Sequence, residues 1–240
     1  AYVPYTFDAL IQAASELSTD EDLVAECRKY KGMLATYPTA LDSDGNPIVV
    51  DWQDCRYGAV GRHNIEVPAS PVFPADQVTW FSPTEEKDLF RRTIRDTVHT
   101  GDNSHIMFNI AKARLSMPEA ITDAKAWFLP RQLPNGFIRF PWAHGTFMQE
   151  MIGLTGLVNE LLLQSVKNKI RVFPCWPKDQ DAKFSGLRAQ GGFIVSAEKR
   201  NGQVVELKIK STAGGKLQLV SPWKNITVNG KGLQQDDQDI

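Results

Sequence analysis

The stretch NELLLQSVKNKIRVFPCWP, residues 159–177, changes its hydrophobic period in mid-course. Leu161, Leu162 and Leu163 close an apolar run of helical character. Ile170, Val172 and Phe173 then read as a strand, and the corner Pro174-Cys175-Trp176-Pro177 stops it. A helical layer therefore hands over to a β layer at this point, with Trp176 at the seam.

Upstream of the seam the pattern is helical. Residues 5–17 place Phe7, Leu10, Ile11, Ala14 and Leu17 at 3- and 4-residue spacings. A second helix over about 20–37 carries Leu23, Cys27, Tyr30 and Leu34 on one stripe, with Thr19 or Asp20 as its cap. Pro38 closes it. Two adjacent amphipathic helices predict a helical hairpin. Residues 41–83 differ: an Asp44-Gly45 turn precedes a short β-like run, and Pro68, Pro71, Pro74 and Pro83 follow. So long an irregular segment reads as a functional loop or a disordered one. Its aromatics, Trp52, Tyr57, Phe73, Trp80 and Phe81, argue against disorder. Helical signal returns at 84–99, 104–116, 118–129 and 145–165, with Pro118 suited to a first turn.

Downstream the period falls to two. FIVSAEKR-NG-QVVELKIK (193–210) predicts a hairpin turning on Asn201-Gly202. KLQLVSPW and NITVNG read as further strands, and LQQDDQDI as a frayed tail. The expected fold class is mainly α with a C-terminal β domain: helical hairpins over 1–165, a connector over 166–182 and an antiparallel β domain over 183–240.

Composition narrows the partners. Lys+Arg 27 against Asp+Glu 28 argues against a general nucleic-acid binder, which needs a basic excess. No apolar run approaches ~18 residues, so no spanning helix or membrane partner is expected. Cys27, Cys55 and Cys175 fit neither a C-x-x-C pair nor a zinc spacing, and read as buried structural thiols. No metal or cofactor is expected. No signal-peptide pattern is visible. Opening at Ala1 rather than Met is compatible with loss of a leader or a larger N-terminal part, so export stays open.

Three stretches together resemble glycoside hydrolase family 95, the α-L-fucosidase-type family. Glu160–Ser165, Phe173–Pro177 and Gly186–Phe193 follow the order of that family's Glu-Met-Leu-Leu-Gln-Ser, Leu-Pro-Ala-Leu-Pro and Gly-Leu-Arg-Ala-Arg-Gly-Gly-Phe motifs. VFPADQVT (72–79) resembles the family's Tyr-Pro-Gly-Asn-Gln-Ile-Thr loop, and His63 stands about where that loop's upstream His lies. DWQD (51–54) stands where the family has a Glu-Trp pair. The likeness covers most of the chain, closely over 159–200 and loosely elsewhere. It implies part of an (α/α)6 toroid followed by a small antiparallel β-sandwich. Such a toroid needs about twelve helices and residues 1–165 read as roughly half that number. The resemblance therefore implies a C-terminal part, completed by an N-terminal portion of the same protein. It also implies an oligosaccharide or polysaccharide substrate and, as in similar bacterial proteins, a periplasmic or extracellular setting.

Glycoside hydrolysis needs two carboxyl groups across the scissile bond; inverting enzymes hold them ~6.5–9.5 Å apart to admit a water. The resemblance implies an acid Glu upstream of Ala1 and an Asp base just before the last barrel helix. Counting back from Leu162–Ser165, that base position falls on Gln149, which cannot take a proton. Glu150, its neighbour, is the first candidate for the base; otherwise it is an ordinary carboxylate in a first helical turn. Asp51 and Asp54 are second candidates; otherwise they cap a turn. Asp51 beside Trp52 would set a carboxylate next to a stacking platform. His63 and His144 could bond sugar hydroxyls, and Trp80 and Trp142 could stack on sugar rings, although aromatics more often serve a core. Three readings stand at this point: an inverting, α-L-fucosidase-like or related glycan-degrading hydrolase or its C-terminal part, a non-catalytic glycan-binding relative that lost its base at Gln149, and a helical scaffold for a partner chain.

Overall fold

A computed structural model describes residues 1–54, 62–63, 67–99, 105–139, 148–224, 227–228 and 231–232. The chain divides into two compact units, Ala1–Ala111 and Lys112–Ile240.

The first unit opens with α1 (Tyr2–Leu17) and α2 (Glu21–Gly32), which pack as the expected hairpin. Ser18 (φ 52°) and Asp20 (φ 60°) reverse the chain between them, and a Lys31–Asp8 ion pair ties the helices across the turn. Ala14 and Cys27 are their buried residues. Leu10, Leu17, Leu23, Tyr30 and Leu34 follow the helical stripe yet stay exposed, so the pair presents an uncovered apolar face.

A short antiparallel hairpin follows, β1 (Thr39–Leu41) and β2 (Pro47–Val49). Its turn forms because Asp42 Oδ1 accepts from the backbone N–H groups of Asp44 (2.9 Å) and Asn46 (2.8 Å). Strands β3 (Arg62–His63) and β4 (Val98–His99) pair in parallel, His63 opposite His99. Between them lies α3 (Thr84–Asp96), stopped upstream by Pro83. The β1–β2 hairpin hangs on α3: Val49 N donates to Thr93 Oγ1 (2.8 Å) and Arg92 Nε to the Pro47 carbonyl (3.1 Å). Helix α4 (His105–Arg114) ends the unit, and its last turn opens the next.

The second unit contains α5 (Glu119–Phe128), α6 (Met148–Leu162) and the β strands. These are β5 (Leu163–Val166), β6 (Lys169–Val172), β7 (Ala182–Ala189), β8 (Phe193–Arg200), β9 (Gln203–Ser211), β10 (Gln218–Leu219), β11 (Thr227–Val228) and β12 (Lys231–Gly232). One three-stranded sheet has the order β10-β6-β5 and a second the order β7-β8-β9. All their pairings are antiparallel except β10 with β6. The β8–β9 turn is the expected one, with positive φ at Asn201 (51°) and Gly202 (79°). Both sheets feed a single apolar cluster containing Leu163, Ile170, Val172, Phe173, Phe184, Phe193 and Val195, with Trp176 partly buried against it.

The seam is sharper than the sequence suggests. Helix α6 stops at Leu162, and Leu163 is already in β5. A helix leaves its last carbonyls without intrahelical donors. Here the Leu162 carbonyl accepts from Phe173 N (2.7 Å), so the returning chain satisfies the helix end. Phe173 takes φ 52° to make that turn, and its ring lies 5.4 Å from Phe184. The described architecture is a helical part followed by a small β domain.

Candidate functional site

The family-like motif at the seam, Glu160–Ser165, is occupied by structural bonds. Gln164 is fully buried, and its Nε2 donates to the carbonyls of Ala113 and Glu160, both at 3.0 Å. Its Oε1 accepts from Arg171 Nε (2.9 Å) and Nη2 (2.6 Å). Glu160 receives Arg114 in a fork, Nε to Oε2 at 2.6 Å and Nη2 to Oε1 at 2.8 Å. Ser165 Oγ accepts from Gln190 N (2.8 Å), and Gln190 Oε1 accepts from Asn168 N (2.9 Å). The Gly-Leu-Arg-Ala-Gln-Gly-Gly segment is thus tied to the β5–β6 turn.

The second family-like loop is equally built in. Val72, Ala75 and Val78 are buried, and Gln77 N and Val78 N both donate to the Pro71 carbonyl, at 2.8 and 3.0 Å. Gln77 Oε1 accepts from the Tyr37 hydroxyl, while its Nε2 donates to the Ala1 carbonyl (2.8 Å). Burial, with the charge of Glu86 in second place, pushes the Tyr37 phenol up to about 12. It therefore stays a neutral donor at any ordinary pH.

The sequence-predicted site residues divide between the two units. Asp51, Trp52 and Asp54 occupy one turn beyond β2, in the first unit. Trp52 is 56% exposed, and Asp54 adopts φ 62° and accepts weakly from Gln53 Nε2 (3.4 Å). Trp80 lies in the same unit, its ring edge-on to Phe81 at 5.0 Å and its carbonyl accepting from Lys87 Nζ (3.1 Å). His63 is placed by its backbone on β3. Glu150 belongs to the second unit, in the first turn of α6, and is only 4% exposed. Gln149 precedes it on the same helix. Trp142, His144 and Cys55 lie outside the described residues, as do the side chains of His63 and Gln149.

A buried carboxylate is expensive unless the fold supplies partners, so Glu150 is the candidate of most chemical interest. An N-terminal helical turn also lends it favourable N–H dipoles. Among the described residues no group of three or more His, Cys, Asp or Glu is arranged to hold a metal ion. No helix among them is long and apolar enough to cross a membrane. Arg114, Arg171 and Lys199 organise the second unit, and sequence reading missed them because their partners are remote carbonyls and side chains with no period to announce them.

Comparison with known families bears on the second unit alone. Residues 164–239 match the family model described as Glycoside hydrolase family 95, C-terminal domain. The matched stretch begins inside β5 and takes in every later described strand. No curated protein matches the chain significantly.

Proposed function

We infer that this chain, family-95-like over its C-terminal portion, is the C-terminal part of a glycoside hydrolase acting on an oligosaccharide or polysaccharide. The observation that carries the catalytic half of this reading is Glu150, a carboxylate buried in the first turn of the helix that runs straight into the matched domain. As a general base its carboxylate takes a proton from water while the water oxygen attacks the anomeric carbon. The glycosidic C–O bond breaks with inversion, and the leaving oxygen takes a proton from a separate acid. That acid belongs to an N-terminal portion of the protein in this reading. Asp51 and Asp54 are the alternative bases, with Trp52 as a stacking platform.

The uncovered apolar face of the α1–α2 hairpin supports the toroidal half of the proposal. In an (α/α)6 ring each hairpin buries that face against its neighbours. A second reading, glycan binding without hydrolysis, is favoured by Gln149 at the family's base position and by the exposure of Trp52.

The deciding experiment measures sugar release from fucosylated and galactosylated oligosaccharides by the longest natural form of the protein and by its Glu150→Gln variant. Release that vanishes in a folded variant supports Glu150 as the base. Release that survives overturns that assignment and moves the base to Asp51 or Asp54. Binding without release leaves the non-catalytic reading in place.

A further inference from the structure

We propose that the β domain carries a second saccharide site, built for a sugar that bears an anionic group. Its ligand class rests on the glycoside-hydrolase reading, but the site itself rests on a cleft whose lining does not include Glu150. The cleft has a volume of about 530 Å3 and lies wholly in the second unit. It is bounded by the corner after β6, by the β8–β9 turn and by residues 222–224. Its size falls within the range of ordinary small-ligand sites, roughly 300–1,000 Å3.

Two tryptophans, Trp176 and Trp223, contribute to its walls. Trp176 is anchored in the apolar core beneath the cleft. Trp223 is held from the other side: its Nε1 donates to the Val204 carbonyl (2.8 Å) and its backbone N to Ser221 Oγ (3.0 Å). A tryptophan so fixed, and still 36% exposed, offers a rigid face to a ligand at little entropic cost. The C–H face of a pyranose is a suitable partner for such a surface.

Charge sets the second half of the specificity. The charged residues lining the cleft are Lys178, Lys199 and Lys224; among the described residues no carboxylate lines it. Lys199 is 5% exposed and spends its ammonium protons on the carbonyls of Pro177 (2.5 Å), Lys178 (3.2 Å) and Gln180 (3.4 Å). It fixes the corner and adds positive potential from below. Lys178 and Lys224 are exposed, able to meet a carboxylate or a sulfate, and Gln203 adds a neutral donor and acceptor for hydroxyls. Such a cleft favours a uronate or a sulfated sugar over a neutral one.

The test is tryptophan-fluorescence titration of the full chain with a galacturonate disaccharide, with galactose 6-sulfate and with neutral lactose. At least one anionic sugar is expected to bind at least tenfold more tightly than lactose, with affinity falling as salt rises. Which of the two binds assigns the group as carboxylate or sulfate. Trp223→Ala should weaken binding at least tenfold, Trp223→Phe should restore most of it, and Lys178→Gln with Lys224→Gln should remove the preference over lactose. Calorimetric titration and thermal melting of each variant separate lost binding from lost folding. Equal binding of lactose, or affinity unchanged in folded Trp223→Ala, overturns the proposal. Glu150→Gln should bind as the parent does, so the cleft can stand if the catalytic reading fails, and the reverse.

Discussion

Gln164 and Arg171 are register partners across the β5–β6 hairpin, and the Arg171 guanidinium places both Nε and Nη2 on the single Oε1 of Gln164. The same guanidinium donates from Nη1 to Ser116 Oγ (2.9 Å) and from Nη2 to the Arg114 carbonyl (3.0 Å). With the two bonds from Gln164 Nε2, one buried amide joins the end of α4, the last turn of α6 and the first strands of the β domain. The helix-to-strand handover is therefore held by a polar network as well as by apolar packing.

Replacing Gln164 by Leu puts an apolar side chain of similar size in its place and removes the four bonds of the amide, while the Arg171 bonds to Ser116 and to the Arg114 carbonyl are left. The carbonyls of Ala113 and Glu160 lose a donor, the first of them in a buried place. The expected loss is about 1–3 kcal/mol of unfolding free energy. Urea denaturation monitored by tryptophan fluorescence measures it. A change below about 0.5 kcal/mol would mean that the network relaxes and carries little of the stability.

Arg114 and Glu160 are a second test of the same joint. Their side chains are 9% and 18% exposed, so their fork is shielded from screening by water. Glu160→Gln leaves the guanidinium facing a neutral group, at an expected cost of about 3 kcal/mol. The Glu160 carbonyl also accepts from Gln164, so the two substitutions share a partner. The double variant should therefore differ from the sum of the singles by about 1 kcal/mol. Strict additivity in a double-mutant cycle would separate the fork from the amide network.

Much of this fold is legible in the sequence, for identifiable reasons. The six described α-helices announce themselves through apolar spacing and through Pro118, with ends displaced by a few residues: 145–165 becomes Met148–Leu162. Asp20 stands at the start of α2 as expected, but its side chain makes no capping hydrogen bond. The β8–β9 hairpin announces itself through Asn201-Gly202. Strand β5 is harder to read, because Leu161, Leu162 and Leu163 look alike although the last is already extended. Its turn is made by Lys167 (φ 48°) and Asn168 (φ 64°), a weaker signal than an Asn-Gly pair. The Arg114–Glu160 fork spans 46 residues and leaves no periodic trace. Among the candidate site residues, sequence adjacency suffices to group Asp51, Trp52 and Asp54 on one turn. The burial of Glu150 depends on packing around the start of α6, which a one-dimensional pattern does not carry.

The glycines of the 186–192 segment supply a graded test. At Gly186 (φ 73°) an added Cβ would meet nothing within 4 Å, so Gly186→Ala should cost only the left-handed backbone term, about 1–2 kcal/mol. Gly192 (φ 75°) has the same backbone, but an added Cβ would lie 2.8 Å from the Ala213 Cβ. Gly192→Ala should therefore cost distinctly more than Gly186→Ala. Gly32, with ordinary φ and open surroundings, is the control and should be neutral or slightly stabilised by Ala. Thermal melts of the three variants rank them. Equal losses at Gly186 and Gly192 would show that the Thr212–Ala213 backbone yields.

Acid stability is expected to depend on Glu198. It faces its register partner Lys183 across β7–β8, with Lys183 Nζ 3.0 Å from Oε2, and Arg200 Nε bonds the other oxygen. The hydrogen bond from Lys183, followed by that from Arg200, holds the carboxyl below the usual carboxylate range. A depressed folded value means that the unfolded state binds the proton first. The contribution is therefore fully present above the unfolded glutamate value of about 4.3 and fades as pH falls from there through the folded value. Melting temperatures of the parent and of Glu198→Gln, taken from pH 7 down to pH 2.5, should show a gap that is widest near neutrality and closes in acid. A gap that keeps its size across that range would mean the carboxylate acts here through its shape and packing, with its charge contributing nothing to the fold.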